Sequence, residues 1–461
     1  MNKDKIFEYI DSKAELFTSL SDKVWDAAEL RFTEKVSAEL LSKALEDEGF
    51  AVERGIGKLE TAFCGRFGRG KPVIGFLGEF DALPRMSQKA GIPYREEADE
   101  GGNGHGCGHN LLGVGALAAA FGAKRYLEES GHEGTVIYFG CPGEEGGSGK
   151  VFMVREGVFE GVDCALTWHP SDRNEVSATS YLASYTVNYR FRGISAHAAA
   201  NPESGRSALD ALELMNIGVQ FLREHIPSEA RIHYAITDTG GSAPNIVQST
   251  AEAVYQFRAP TGAQAAEIYR RLNKIAEGAA LMTETEVDIR FIRASSNTLP
   301  NTVMEQMLYE SMAALPHPTV PESEKELMAA ISETLPPADN THWGEVLPYT
   351  PSTASKPAST DVGDVSHVCP TAQFDGAVWP ANTPMHSWQA VAVGKSKTAH
   401  GGMMFAGKAL AATAIDLFEQ PEKLAAAKSE FLRRTAAAPY ACPIPDSVMP
   451  DMPKQEKGRI T

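Results

Sequence analysis

Cys107-Gly-His109, Glu144-Glu145 and His169 are residues whose types, taken together, could do chemistry. A thiol, two imidazoles and two carboxylates make a mixed donor set for a divalent metal ion. Singly, each signal is weak. Free cysteines are commonly buried as small apolar groups, and most histidines are satisfied structural residues. Adjacent glutamates in a glycine-rich loop are usually solvated, but Glu144 and Glu145 directly follow an apolar run, a costly place for charge unless a cation compensates it. His169 repeats the arrangement after the next apolar run.

The elements that must position these groups can be read from hydrophobic periodicity. Residues 72–80, 135–140 and 164–168 are continuously apolar, as strands buried on both faces should be, and helix-like segments lie between them. The pattern is α/β. The first run leads into Glu79 and Asp81, the second into Glu144 and Glu145 across a Pro-Gly turn, and the third into His169. Ligand groups at the carboxyl ends of several strands are the usual placement of an active site in an open α/β sheet. Residues 4–48 read as amphipathic helices covering one face. Cys107 and His109 precede a small-residue helix whose N-terminal dipole favours thiolate.

Between about 185 and 294 the pattern changes to alternating strands and two helices, 207–223 and 264–281, in the order βαββαβ. This is the order of a ferredoxin-like unit, inserted into the larger domain. The expected division is a first catalytic segment, 1–183, an inserted lid or dimerisation domain, 184–296, and a second catalytic segment, 297–461. Residues 316–357 are rich in Pro, Ser and Thr and should be irregular, with a possible helix at 322–335. A helix is expected at 399–418. The tail beyond Ala438, with five prolines between Pro439 and Pro453, should be extended over the surface or a partner.

Forty-three Lys plus Arg against 60 Asp plus Glu leave a net charge of −17. With no long basic run, binding to nucleic acid or to an anionic membrane is not expected. Charges interrupt the apolar residues of the first segment, so neither a signal peptide nor a membrane span is expected, and a cytoplasmic location follows. Six scattered cysteines suit neither a disulfide framework nor a structural zinc site.

Six motifs in order carry a family likeness: Glu79-Phe-Asp81-Ala-Leu-Pro, His105-Gly-Cys107-Gly-His109-Asn110, Pro142-Gly-Glu144-Glu145-Gly-Gly, Thr167-Trp-His169-Pro, Gly193-Ile-Ser-Ala-His197 and Pro384-Met-His386-Ser. Together they resemble the signature of the M20 metallopeptidase and amidohydrolase family. The Cys-Gly-His form is similar to its branch of N-acyl amino acid and p-aminobenzoyl-glutamate hydrolases and dipeptidases. The segment Thr360-Asp361-Val-Gly-Asp364 resembles the last two groups in particular. The resemblance implies a zinc-exopeptidase-like mixed sheet flanked by helices, and two divalent ions, zinc or manganese. Cys107 would be the shared ligand, with His109, Glu145, His169 and His386 completing the shells. Glu144 would be the general base, and Asp81 would orient a ligand histidine. Two divalent ions about 3.5–4 Å apart can polarise an amide carbonyl and acidify a water, but a nearby carboxylate must still shuttle the proton.

The resemblance further implies that His197 reaches the active site of a partner subunit and stabilises the oxyanion, and that Asn245 and Arg258 hold the substrate's free carboxylate. The implied activity is cleavage of an N-acyl or N-aroyl amino acid or a small dipeptide, in a homodimer formed through the lid or in a heteromer with a related subunit. Two departures stand out. Many relatives have Asp where this chain has Glu79, and Asp where it has Asn110, and neither residue is expected to bind metal.

Simpler readings compete residue by residue. Asp81 could cap a turn, His197 could be a turn histidine, Arg258 could be solvated, and His400 rivals His386. The location of His367 and Cys369 relative to the cleft is open. At the level of function, a thiol hydrolase using Cys107 with His109, or a silent subunit of a heteromer, are the alternatives.

Overall fold

The computed structural model describes residues 3–339, 342–453, 455–456 and 459–460. Its strands, in chain order, are β1 (Ala51–Arg54), β2 (Phe63–Arg69), β3 (Val73–Glu79), β4 (Gly134–Cys141), β5 (Cys164–Ser171), β6 (Glu175–Val176), β7 (Ser180–Tyr181), β8 (Ala183–Arg192), β9 (Arg231–Asp238), β10 (Thr250–Ala259), β11 (Glu286–Ser295), β12 (Ser355–Lys356) and β13 (Thr371–Ala377). Seven build a mixed sheet in the order β1-β2-β4-β3-β5-β13-β6. Its centre, β4-β3-β5-β13, is parallel; β2 and β6 run against it at the two sides, and β1 pairs antiparallel with β2 at the margin.

Both faces of this sheet are covered, which is why β3 and β4 are buried at every position. Ile74, Phe76, Val136, Tyr138, Leu166 and Trp168 face a core shared with the helices Lys3–Ser12, Ala14–Ala27, His109–Ser130 and Lys397–Glu419. The alternate residues Val73, Leu77, Ile137, Phe139 and Ala165 face a second core, which takes in the helix Gly149–Arg155. Close approach of the two longest helices of the first core is possible because Gly407 lies against Ala118, where an added Cβ would stand only 2.8 Å from the alanine methyl.

The second sheet has four antiparallel strands in the order β11-β8-β10-β9. With the helices Ala208–Arg223 and Gly262–Thr283 it makes the βαββαβ ferredoxin-like unit. Ser207 caps the first helix through Asp210 N, and Thr261 and Gln264 cap the second reciprocally. Val187, Tyr189, Phe191, Ala253, Tyr255 and Phe257 are buried on the helical side. The other face carries Ser184, Thr186, Gln256 and Arg258 and lines a cavity beside Glu144 and Glu145.

Several local readings change. The strands β1, β2 and β13 lack a continuous apolar run: β2 is Phe-Cys-Gly-Arg-Phe-Gly-Arg, and β13 carries Gln373 and Asp375. β13 belongs to the sheet because its neighbours bury it, whereas β1 and β2 form its largely exposed margin and are held by ladder pairing. β5 extends to Ser171, so His169 lies within the strand near its end. In the proline-rich segment the helix is confined to Lys325–Ser332, after a turn of 3-10 helix at Glu322–Glu324. Residues 340 and 341 of that segment lie outside the described residues.

The tail crosses the chain's own surface. Tyr440 donates to Asp364, Arg155 donates to the carbonyls of Pro445 and Val448, and Arg31 donates to Asp451. Its positions 454, 457, 458 and 461 are outside the described residues. Among the described residues no helix is long and apolar enough to cross a membrane.

Candidate metal centre and cleft

Three parallel strands deliver their carboxyl ends to one place. Glu79 ends β3, with Asp81 two residues on; β4 ends at Cys141 and turns through Pro142-Gly143 into Glu144 and Glu145; β5 carries His169. The turn after β4 is held from below by Glu34, a buried carboxylate that accepts from Gly143 N at 2.9 Å, Phe32 N at 2.8 Å and Thr61 Oγ1 at 2.8 Å. Gly143 has a φ of +65°, a left-handed conformation that glycine adopts without the usual Cβ penalty.

Asp81 ties two of these segments together. Its Oδ1 lies 2.9 Å from His109 Nδ1, and its Oδ2 accepts from Glu145 N at 2.8 Å. A carboxylate can only accept here, so Nδ1 of His109 carries the proton of that contact and Nε2 is the atom turned toward the cluster. The same logic applies to His169, whose Nδ1 donates to Pro170 O at 2.8 Å while Nε2 lies 3.3 Å from Cys107 Sγ. On the opposite side His386 Nε2 lies 2.9 Å from Glu145 Oε1. His386 itself has a φ of +59°, a strained conformation for a non-glycine residue, and its N–H donates to Gly106 O at 2.8 Å.

Donor atoms therefore converge in three overlapping groups: Cys107, His109 and His169; Cys107, Glu145 and His386; and Glu79, His109 and Glu144. Within each group one donor atom from every residue lies within 4.8 Å of the others. Two buried atoms of this set, His109 Nε2 and Glu79 Oε2, are 3.2 Å apart, yet neither makes a well-formed hydrogen bond. Unsatisfied buried donors and acceptors are rare and need a cause. A thiol, imidazole lone pairs and carboxylates facing one another fit a divalent cation.

Glu79 thus sits closer to the cluster than its expected place outside the metal ligands. Its other oxygen lies 2.6 Å from Lys150 Nζ, which also lies 2.6 Å from Asp361 Oδ1. Lys150 Nζ is completely enclosed, with Glu79 only 3% exposed. Lys150 N donates to Asp361 Oδ2 at 2.8 Å as well. Glu34 and Lys150 are functional positions that sequence reasoning missed. The signal for Lys150 was a cation in the otherwise small and apolar stretch 146–154. Asn110, the second departure, turns away: its Nδ2 donates to Ser21 Oγ and Gly394 O, tying two helices together.

Glu144 and Glu145 are adjacent in sequence and opposite in acidity. Burial is the largest influence on Glu144, and Glu79, Glu145 and Asp361 add repulsion, so its carboxyl is held well above the usual range. Burial also opposes ionisation of Glu145, but the hydrogen bond to His386 and the charge of His109 outweigh it and bring it down to about 2. Environments that push neighbouring carboxyls apart suit them to different tasks.

The cluster opens into a cleft of about 290 Å³ between the two sheets. Glu144, Glu145 and His386 line one side, and Ser184, Thr186, Gln256, Arg258 and Arg293 line the other. Arg258 is held by Pro357 O, 2.9 Å from one of its terminal nitrogens, so it is not simply solvated. His197 and Asn245 are elsewhere. Both are exposed, and they adjoin each other through Ala198 N donating to Asn245 O at 2.9 Å. His400 pairs with Asp22, and His367 lies 3.0 Å from Asn297 O; neither lines this cleft, nor does Cys369.

A ferredoxin-like unit beside a mixed sheet, with soft and hard donors gathered at the ends of its parallel strands, is an arrangement of the metallopeptidase type. The sequence pattern of Peptidase family M20/M25/M40 matches residues 75–387. The chain is 45% identical to one of the subunits of the p-aminobenzoyl-glutamate hydrolase of Escherichia coli (strain K12), over 97% of this chain and 99% of that protein. It is 30% identical to a Xaa-Arg dipeptidase of Mus musculus, over 93% and 92% of the two chains. A dinuclear metal binding peptidase of the M20 family from Bacillus subtilis shares the fold, with a TM-score of 0.56 at 16% identity, over 89% of this chain and 99% of that one. The chain belongs to the M20 peptidase family, and it is a peptidase or amidohydrolase acting on C–N bonds.

Lys150→Met would leave Glu79 and Asp361 buried without their cation. Urea unfolding should show a loss of about 3–5 kcal/mol, the cost of breaking a buried pair from one side. An unchanged midpoint would contradict the role of Lys150 in holding this cluster.

Proposed function

We propose that the chain hydrolyses the amide bond of N-acyl or N-aroyl amino acids, p-aminobenzoyl-glutamate among them, or of small dipeptides. The observation that carries this reading is the pair of facing, unsatisfied atoms His109 Nε2 and Glu79 Oε2 within a cluster that shares Cys107 and adjoins Glu144. Cys107 would be the shared ligand of two divalent ions, zinc or manganese, with His109, Glu145, His169 and His386 around them. Such ions supply Lewis acidity, which polarises the amide carbonyl and acidifies a water. Asp81 fixes the tautomer of His109, and Glu79 stands beside it as a further donor, braced by Lys150. Glu144 takes the proton from the water and returns it to the departing nitrogen, a task for a carboxyl whose surroundings favour the protonated form. Arg258 holds the free carboxylate of the substrate in this cleft, and Asn245, exposed beside His197, would reach it only from a partner subunit.

Residues 184–296 act as the lid between the catalytic segments 1–183 and 297–461. His197 and Asn245 lie on its outer flank, beside exposed Ile194 and Ile246. The outermost strand of the lid sheet, β9, exposes Tyr234 and Ile236. An open, partly apolar strand edge favours pairing with another chain. We therefore place His197 in the active site of a partner subunit, in a homodimer or in a heteromer with a related chain, since the relative at 45% identity is itself named as one subunit of its enzyme. Six free cysteines suit a reducing cytoplasm.

Glu144→Ala should abolish turnover of N-benzoylglutamate, by at least about 100-fold, with metal content unchanged by atomic absorption. Dialysis against a chelator should silence the wild-type protein. The contact of Cys107 with His169 makes a thiol hydrolase the rival, and activity that survives chelation and falls to an alkylating agent would establish that rival instead. His197→Ala should lower turnover by about 100-fold, the size of a lost oxyanion contact, while sedimentation still reports the dimer. A fully active His197 variant would remove the residue from the site.

A further inference from the structure

Arg293 enters the cleft through an irregularity in β11. From Glu286 to Phe291 the strand pairs with β8 in regular register, so Val287, Ile289 and Phe291 lie opposite Phe191, Tyr189 and Val187 on the helical face. Simple alternation would send Arg293 to that same apolar face. The register slips between Phe291 and Arg293, and Arg293 lies opposite Thr186 instead. A bulge of one residue re-aims every side chain beyond it. Arg293 therefore joins Thr186, Ser184 and Arg258 above the glutamate loop.

Its position there is firm. Arg293 Nε donates to Thr186 Oγ1 at 3.2 Å, and a Cβ added to Gly146 would stand 3.0 Å from Arg293 Nη1, so the guanidinium lies against the Glu144–Gly146 turn. Arg258 pairs with Ser184 on the far side of β8. Two strand spacings across and two residues along put the two Cα atoms about 12 Å apart, close enough for both long side chains to serve one small molecule. Nε of Arg258 is buried without a partner, and among the described residues neither arginine forms an ion pair with a carboxylate. Glu144 and Glu145 across the cleft offset part of the repulsion among these cations without pairing with either guanidinium, and an anion with two separated negative groups would engage both forks directly.

We propose that Arg293 is the second anion-binding residue of this cleft and restricts the amino acid released to a dicarboxylate, glutamate or aspartate, one carboxylate on Arg258 and the other on Arg293. This rests on the amidohydrolase reading above and narrows its substrate class. The same pair of cations disfavours a basic residue at that position, so the preference should differ from the one named in the Xaa-Arg dipeptidase relative.

Binding separates this assignment from catalysis. Calorimetry of the metal-loaded protein with glutarate and with butyrate compares an acid that can place one carboxylate on Arg258 and the other on Arg293 with an acid that can fill only one of these positions, so their ratio isolates the second negative group. Wild type should bind glutarate at least about 10-fold tighter. Arg293→Met should erase that ratio, and Arg293→Lys, which keeps the charge without the fork, should retain part of it. Equal binding of the two acids by wild type, or a ratio unchanged in Arg293→Met, overturns the proposal. In turnover, Arg293→Met should lose about 10- to 100-fold in kcat/KM on N-benzoylglutamate and far less on N-benzoylglutamine; an equal loss on both also overturns it. A protein that prefers glutarate through Arg293 yet hydrolyses no amide would sink the amidohydrolase reading and leave this site standing.

Discussion

Asp81 accepts a hydrogen bond from the ring of His109 with one oxygen and from the peptide N–H of Glu145 with the other, and the geometry around the cluster depends on that division. One contact sets which nitrogen of His109 is free; the other fixes where the loop after β4 begins its turn. Through them the end of β3, the start of a long helix and the glutamate loop share one origin. Glu34 repeats the device one layer below, where its carboxylate receives the N–H groups of Gly143 and Phe32. Buried carboxylates here act as templates for backbone, which holds donor atoms more firmly than a solvated loop could.

Such templates are expensive in charge. Glu34, Glu79, Asp81 and Asp361 are all buried within this part of the fold, with Lys150 as the enclosed cation between two of them. Burial, with the charge of Asp81, raises Glu34 to about 8, and burial raises Asp361 as well, so part of that cost is met by holding carboxyls protonated. The chain's net charge of −17 sharpens the problem for an anionic ligand, which meets a repulsive surface and must be drawn by a local field. Arg258 and Arg293, on the cleft-facing side of the four-stranded sheet, are the cations placed where such a field would act.

Much of this was legible in the residues. Glu144, Glu145 and His169 announce themselves because charge or a metal-binding group ends a strand whose other residues are apolar, and Cys107 and His109 because they open a helix of small residues. The α/β order and the βαββαβ insert follow from a change in hydrophobic period. What escaped the reading depends on three-dimensional company. The strand β13 is buried by its neighbours more than by its composition, and β1 and β2 are marginal strands with little burial to announce them. Lys150 lies in a helix of seven residues, too short to show a face, and its partners are 71 and 211 positions away. Asn110 occupies a position adjoining a ligand in sequence but points into a helix contact. Arg293 was hidden because alternation assigns it to the wrong side of the lid.

The slip in β11 has an implication for how this scaffold changes over time. Substitution alters one side chain, whereas an insertion or deletion of a single residue in that strand reverses the facing of Arg293 and of the residues after it. Which residues of β11 face the cleft is thereby encoded in the length of the strand as much as in its composition. Gain or loss of one residue there would take Arg293 out of the cleft and turn it toward the apolar face against the helices, while the segments that carry the metal-binding cluster keep their sequence.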